Sequence, residues 1–168
     1  MTKLYLVRHG ETEDNVRQIL QGQSPGKLNA NGIRQAEELR DRLRNEQIDA
    51  FVASDLHRAV QTCRIIAQPH HREVVETPLL RERDWGDFTG MYIPDLKDRK
   101  WPDNVERTDR MAARARNFLT WIRVTYPDQT VLAVGHGIIN KVVQSIYYGK
   151  PIHEIPRMAN AEMRVLML

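Results

Sequence analysis

Two histidines stand where apolar runs end, and each is followed by glycine. His9 does so in LYLVRHG at residues 4–10, and His136 in VLAVGHG at residues 131–137. Arg8 directly precedes the first of them. A guanidinium group binds anions, and a neutral imidazole is a nucleophile. These residue types could therefore hold an anionic group and attack it.

The runs before the histidines indicate how the two rings come together. Short Val- and Leu-rich runs bounded by glycine are typical of buried strands, and open α/β sheets bind ligands at the carboxyl ends of their strands. We therefore expect His9 and His136 at neighbouring strand ends. Gly10 would let the backbone turn tightly and approach a ligand, and Gly137 would allow the same beside His136.

Two further charged residues could complete such a site. Arg58, in SDLHRAVQT at 54–62, falls in the first turn of a predicted helix. The helix dipole disfavours a cation there unless an anion occupies the helix N-terminus; a solvated arginine is the plainer alternative. Glu82, in LRERDWGDFTG at 80–90, could donate a proton if a bound phosphate dianion favours its protonated form. Alone it would be one loop carboxylate in a charge cluster.

Strand-like and helical patterns alternate along the chain. Strand-like runs occur at about 3–8, 50–54, 73–77, 130–135 and 162–168, and helical periodicity at 33–44, from 55 to about 69, from about 106 to 125, and at 138–148. The alternation predicts an α/β fold with a mostly parallel sheet. Ser54 or Asp55 is expected to cap the second helix by accepting its free amide hydrogens.

The stretch from about residue 83 to 105 has weak periodicity, and we expect an irregular excursion over one edge of the site. It carries four aromatic residues, Trp85, Phe88, Tyr92 and Trp101. They could line a ligand pocket or form a small satellite core under the loop, and the sequence leaves both alternatives open.

Composition limits the classes of protein that fit. A chain of 168 residues fits one domain, residues 1–168, with 41% hydrophobic and 28% charged residues. No stretch approaches a membrane span, and no signal peptide is visible, so we expect a cytoplasmic protein. A net charge of +3 suits an anionic ligand and falls short of a nucleic-acid binder's basic stripe. The oligomeric state stays open, a homodimer included.

The remaining reactive side chains have simpler interpretations. Cys63 is the single cysteine and cannot form an internal disulfide, and its helical pattern favours a buried hydrophobe over a nucleophile. His70 and His71 adjoin Pro69 without a nearby third ligand, so we expect no metal site there.

Arg8, His9 and Gly10, followed in order by Arg58, Glu82 and His136, resemble the signature of the histidine phosphatase superfamily, which includes the cofactor-dependent phosphoglycerate mutases. The resemblance covers nearly the whole chain. It implies a three-layer α/β/α fold with a mostly parallel central sheet. It also implies phosphate contacts from Asn15 in RHGETEDN and from a loop matching Gln21 and Gly22.

A mechanism follows for these residues. Neutral His9 would attack phosphorus in line and form a phosphohistidine, with a backbone acceptor on its other ring nitrogen. Arg8, Arg58 and His136, with Gly137 beside them, would surround the phosphoryl group, so neither a metal nor another cofactor is expected. Glu82 would protonate the leaving oxygen and then activate the hydrolytic water.

Hydrolases and mutases share these residues, and we favour a phosphatase acting on a small phosphorylated metabolite. A mutase must keep water from its phosphohistidine. The resemblance implies that mutases carry a longer insertion after the position of Glu82 and a C-terminal tail, whereas here only residues 83–105 precede the long helix and the chain ends in EMRVLML. A phosphoglycerate mutase, a protein phosphohistidine phosphatase and a non-catalytic phosphate-binding module remain alternatives.

Overall fold

Five strands form one sheet at the centre of the molecule. A computed structural model describes all residues, 1–168. The strands are β1 (Lys3–Arg8), β2 (Ala50–Ser54), β3 (Val74–Thr77), β4 (Thr130–Gly135) and β5 (Met163–Met167). Their order is β3-β2-β4-β1-β5, and only β5 runs antiparallel to its neighbour. The predicted mostly parallel sheet is confirmed.

Helices cover both faces of this sheet. They are α1 (Glu13–Arg17), α2 (Ala30–Leu43), α3 (His57–Ala67), α4 (Thr108–Thr125) and α5 (Gly137–Tyr148). Side chains alternate along β1, so that Leu4 and Leu6 pack in one core with α4 and α5, while Tyr5 and Val7 pack in a second with α2 and α3. The result is the three-layer α/β/α arrangement that the sequence predicted.

The predicted cap of the helix that follows β2 is wrong. Helix α3 begins at His57, its N-cap is Leu56, and no side chain caps it. Ser54 instead accepts a hydrogen bond from the Leu56 amide at 3.2 Å, before the helix starts. The Asp55 carboxylate binds both nitrogens of the Arg81 fork at 2.7 Å. The Ser54 hydroxyl thus binds an amide just outside the helix, and Asp55 binds an arginine that is distant in sequence.

The loop after β1 packs backbone to backbone against the first turn of α2. A Cβ atom added at Gly10 would lie 2.6 Å from the carbonyl oxygen of Gly32, and one added at Gly32 would overlap the carbonyl of Glu11. Because neither position has room for a side chain, the loop is held at a fixed distance from the helix. This contact positions His9, the residue before Gly10.

The excursion over residues 83–105 is irregular, as predicted, and contains only short 3-10 turns at Gly86–Phe88 and Ile93–Leu96. Its backbone pairs with the loop that follows α1. The amide of Leu20 donates to Met91 at 2.9 Å, and the amide of Ile93 donates to Gln18 at 2.8 Å. The two loops together cover one side of the carboxyl edge of the sheet.

The structure also bears on membranes, metals and thiols. No helix combines the length and the apolar character needed to cross a bilayer. No group of three or more His, Cys, Asp or Glu side chains is arranged to hold a metal ion, and His70 and His71 have no third partner. Cys63 is buried in the core, as predicted, and burial raises the pKa of its thiol.

Candidate active site

A cavity of about 330 Å³ opens at the carboxyl edge of the sheet. Eight of the nine predicted catalytic and phosphate-binding residues line it: Arg8, His9, Asn15, Gln21, Gly22, Arg58, Glu82 and Gly137. His136 lies directly behind this wall, with its ring centroid 5.1 Å from that of His9. The structure therefore brings the predicted set together around one cavity.

The His9 ring is buried and has one engaged nitrogen. Its Nδ1 lies 2.7 Å from the carbonyl oxygen of Gly10, so this nitrogen carries the proton and donates it. Burial lowers the pKa of His9 well below its usual value, and the charges of Arg58 and Arg8 lower it further. The ring is therefore neutral near pH 7, and Nε2 holds a free lone pair.

His136 is fully buried as the N-cap of α5. Its Nε2 lies 2.9 Å from the hydroxyl oxygen of Ser54, while its Nδ1 is buried without a partner. Burial lowers its pKa well below the usual value, with further lowering from Arg58 and His9. Ser54 has the residue type of a helix cap, and its contact with this ring was not predicted from the sequence.

Two arginines are held in place by backbone carbonyls. Arg58 is 1% exposed, and its Nη2 donates to the carbonyl of Gly22 at 2.7 Å. Arg8 donates from Nη1 to the carbonyl of Met158 at 2.8 Å. Burial lowers the pKa of Arg58 to about 10 and also lowers that of Arg8, so Arg58 stays charged at neutral pH. The buried, charged Arg58 contradicts the alternative of a solvated side chain.

Four buried nitrogen atoms of this site have no hydrogen-bond partner. They are Nε of Arg8, Nε of Arg58, Nε2 of Gln21 and Nδ1 of His136. Each buried polar atom left unpaired costs about 1–3 kcal/mol. A tetrahedral anion offers several acceptor oxygens at once, and it would satisfy such a group of donors. The arrangement therefore suits a phosphoryl group.

A hydrogen-bond network supports the loop that carries Gln21. Its Oε1 accepts from the Thr12 hydroxyl at 3.1 Å and from the Asn15 amide at 3.4 Å. Asn15 also accepts from the amide of Thr12 and from Asn160, whose Nδ2 donates to the carbonyl of His9 as well. The network orients the free amide nitrogen of Gln21.

The next residue, Gly22, has a φ of +52°, which lets its carbonyl turn toward Arg58.

The Glu82 carboxylate lies at the N-terminus of α5. It accepts backbone hydrogen bonds from Ile138, Ile139 and Arg83, each at 3.0 Å. Unpaired amides and the helix dipole both favour a negative group at this position. The main-chain oxygen of Glu82 accepts from Gln23 at 3.2 Å. The carboxylate is thus anchored in the wall of the cavity next to the histidines.

Of the four aromatic residues of the excursion, Trp85 and Phe88 fit one alternative each, whereas Tyr92 and Trp101 are exposed outside the cavity lining and fit neither. Trp85 lines the cavity, whereas Phe88 is buried beneath the loop. Trp101 packs edge-on against Trp85, with ring centroids 5.1 Å apart, and the Arg83 guanidinium lies 5.0 Å from both rings. Tyr92 is exposed and lies outside the cavity lining.

Two cations of the cavity were missed by sequence analysis. Lys141 stands one helical turn after Gly137 in α5, so helical periodicity could have placed it on the same face. Arg157 lies in the segment between α5 and β5, where no periodic pattern points to the site. Apolar side chains of Ile19, Leu20, Ile93 and Ile138 complete the lining.

Lowered histidine pKa values predict a pH-dependent stability. The folded state holds His9 and His136 below the usual pKa of 6.5, so the unfolded state binds more protons below that pH, and stability falls as the pH falls. We expect the free energy of unfolding, measured with urea, to decline from about pH 6.5 to 5 by up to about 1.4 kcal/mol per pH unit for each ring.

His136→Asn should reduce the slope of the unfolding free energy against pH, because the variant removes one of the two buried histidine rings. The exposed His57→Asn serves as the control and should keep the wild-type slope. Equal slopes in all three proteins would contradict the expectation.

The fold and the site define an α/β protein with a cage of buried cations beside a neutral histidine at the carboxyl edge of its sheet. A family model for the histidine phosphatase superfamily (branch 1) matches residues 4–168. The chain belongs to this superfamily, which confirms the family and the phosphatase-type enzyme expected from its motifs.

Individual relatives carry both phosphatase and mutase names. The chain is 36% identical over 166 residues to an uncharacterized phosphatase, PhoE, of Bacillus subtilis, covering 96% of this chain and 86% of that one. It is 35% identical to a probable phosphoglycerate mutase, GpmB, of Proteus mirabilis, with 94% and 80% covered. A mycobacterial glucosyl-3-phosphoglycerate phosphatase complexed with VO3 superposes with a TM-score of 0.88 at 26% identity, covering 98% of this chain and 92% of that one.

Proposed function

We propose that this chain is a metal-independent phosphomonoester hydrolase that acts on a small phosphorylated metabolite through a phosphohistidine at His9. The observation that carries the proposal is the neutral, buried His9 ring, with Nε2 free and four unpaired buried nitrogens around it. A nucleophile and an anion-binding cage then share one cavity.

The first step transfers the phosphoryl group to His9. Nε2 attacks phosphorus, the N–P bond forms, and the bond from phosphorus to the leaving oxygen breaks. Glu82 donates a proton to that oxygen. The carbonyl of Gly10 accepts from Nδ1 and stabilises the positive charge that develops on the ring. Arg8 and Arg58 bind the phosphoryl oxygens throughout.

The second step returns the enzyme to its starting state. The Glu82 carboxylate takes a proton from water, the water oxygen attacks phosphorus, and the N–P bond breaks. Inorganic phosphate leaves, His9 regains its lone pair, and Glu82 is protonated again. The His136 ring lies within reach of the same phosphoryl group, because its centroid is 5.1 Å from that of His9.

Solvent access favours hydrolysis over mutase activity. A mutase would have to exclude water from the phosphohistidine. Here Ile93, in the cavity wall, is 46% exposed, and Arg157 in the same wall is also exposed. Water can therefore reach the cavity from the side of the excursion.

We further propose that residues 1–168 act as one domain on a small molecule in the cytoplasm, with no nucleic-acid partner. Backbone hydrogen bonds join Thr2 to Leu168 in both directions, so that both ends of the chain enter the same sheet. A homodimer stays an alternative to a monomer.

A panel of phosphomonoesters, assayed for inorganic phosphate with a chelator present, tests this function. We expect steady release that neither the chelator nor omission of a bisphosphorylated primer reduces. Primer-dependent transfer with little free phosphate would establish a mutase instead. Activity confined to phosphohistidine on a protein would favour a protein phosphohistidine phosphatase. No turnover of any compound would favour a non-catalytic phosphate-binding module.

A further inference from the structure

The cavity contains more positive charge than a phosphoryl group requires. Its lining includes four cationic side chains, those of Arg8, Arg58, Lys141 and Arg157, and a single carboxylate, that of Glu82. A bound phosphate dianion would leave at least one positive charge unbalanced. A second negative group on the same substrate would balance it.

Burial separates these cations into two levels. Arg8 and Arg58 are 7% and 1% exposed, and both donate to backbone carbonyls at the base of the site. Lys141 is half-buried, and Arg157 is exposed. The second pair therefore lies nearer the mouth, where the leaving group of a phosphate ester bound at His9 would lie.

Neither cation of the outer pair has an acidic partner. The ion pairs of the molecule involve other residues throughout. Glu162, five positions after Arg157, is paired with Arg164 at 2.9 Å, and Glu154, three positions before it, forms no ion pair with Arg157. Arg164 also donates to the carbonyls of Pro156 and Arg157 and so fixes the backbone that carries Arg157.

We propose that Lys141 and Arg157 form a subsite for a second anionic group, a carboxylate or a phosphate, on the leaving group of the substrate. The subsite rests on the proposed function, since it selects among phosphomonoesters that His9 attacks. Apolar contacts from Ile19 and Ile93 on the wall would cover the carbon skeleton between the two anionic ends.

Matched pairs of substrates isolate the effect of the second anionic group from that of the rest of the ligand. 3-Phosphoglycerate and glycerol 3-phosphate differ only in a carboxylate that replaces a hydroxymethyl group. Propanediol bisphosphate and propanediol monophosphate form the corresponding pair for a second phosphate. We expect kcat/KM to be about tenfold or more higher for the member that carries the second anionic group in at least one pair. The pair that shows this preference identifies the anion.

Variants assign the preference to the two side chains. Lys141→Met and Arg157→Met should each raise KM for the substrate with the second anionic group about tenfold, and change turnover of the matched substrate without that group less than about twofold. Lys141→Arg should keep the preference. Arg123→Met, an exposed position on α4 outside the cavity, is the control and should change nothing.

A binding measurement tests the subsite without requiring turnover. On the His9→Ala protein, titration calorimetry should give a dissociation constant about tenfold lower for the ligand with the second anionic group, and Lys141→Met should remove the difference. If no phosphomonoester turns over but this preference persists, the hydrolase proposal fails and the subsite stands. Equal binding of both ligands, or Met variants that weaken both substrates alike, would overturn the subsite.

Discussion

His9→Ala should reduce phosphatase turnover by at least about 10⁴-fold, because the variant removes the atom that accepts the phosphoryl group. The cage formed by Arg8, Arg58 and Gln21 remains, so vanadate and inorganic phosphate should still bind. Rapid acid-free quenching of the wild-type protein with labelled substrate should trap phosphate on the protein in an acid-labile, base-stable form. The variant should trap none.

A second histidine variant separates the loss of the nucleophile from a general effect of removing imidazole. His57 precedes Arg58 on the chain, but its side chain is exposed and lies outside the cavity lining. His57→Ala should therefore retain wild-type turnover and trapping. Wild-type turnover in His9→Ala would end the proposed mechanism.

Glu82→Gln should slow hydrolysis of alkyl phosphates by about 10²–10⁴-fold. The amide keeps the size of the side chain, yet it can neither donate a proton to a leaving alkoxide nor accept one from water. Gln also replaces one carboxylate oxygen by an NH₂ group, which cannot accept from the Ile138 or Ile139 amides.

The choice of leaving group distinguishes the two roles of Glu82. p-Nitrophenol departs without protonation, so the variant should still form phosphohistidine from p-nitrophenyl phosphate and then hydrolyse it slowly. We expect a burst of nitrophenol followed by a low steady rate, measured by stopped flow. Asp84→Asn, an exposed carboxylate outside the cavity, is the matched control. Equal losses for alkyl and aryl phosphates, without a burst, would contradict the acid role.

The strands and the residues at their ends could be predicted because both depend on local patterns. β1 and β4 are short apolar runs bounded by glycine, and parallel strands side by side bring their carboxyl ends to one edge. His9 and His136 therefore had to meet once these two strands were neighbours. The order of Arg58 and Glu82 along the chain matched the superfamily's motif, and the structure brings both to the same cavity.

Contacts between segments distant in sequence lie beyond such patterns. Ser54 has the residue type of a helix cap, but its hydroxyl contacts a ring that is 82 positions away. Helix α1 spans five residues and is too short for apolar periodicity to reveal it. Arg157 lies in a non-periodic segment that lines the cavity, and its carbonyl accepts a hydrogen bond from Arg164. These positions depend on tertiary packing rather than on their neighbours in the chain.

The backbone contact between the Gly10 loop and the first turn of α2 has a consequence for protein engineering. Since neither Gly10 nor Gly32 has room for even a methyl group, randomising these positions would yield mostly inactive or misfolded clones. Ile19, Ile93 and Lys141 line the mouth of the cavity and take no part in this backbone contact. Libraries aimed at new substrate preferences should therefore vary the mouth and leave the two glycines untouched.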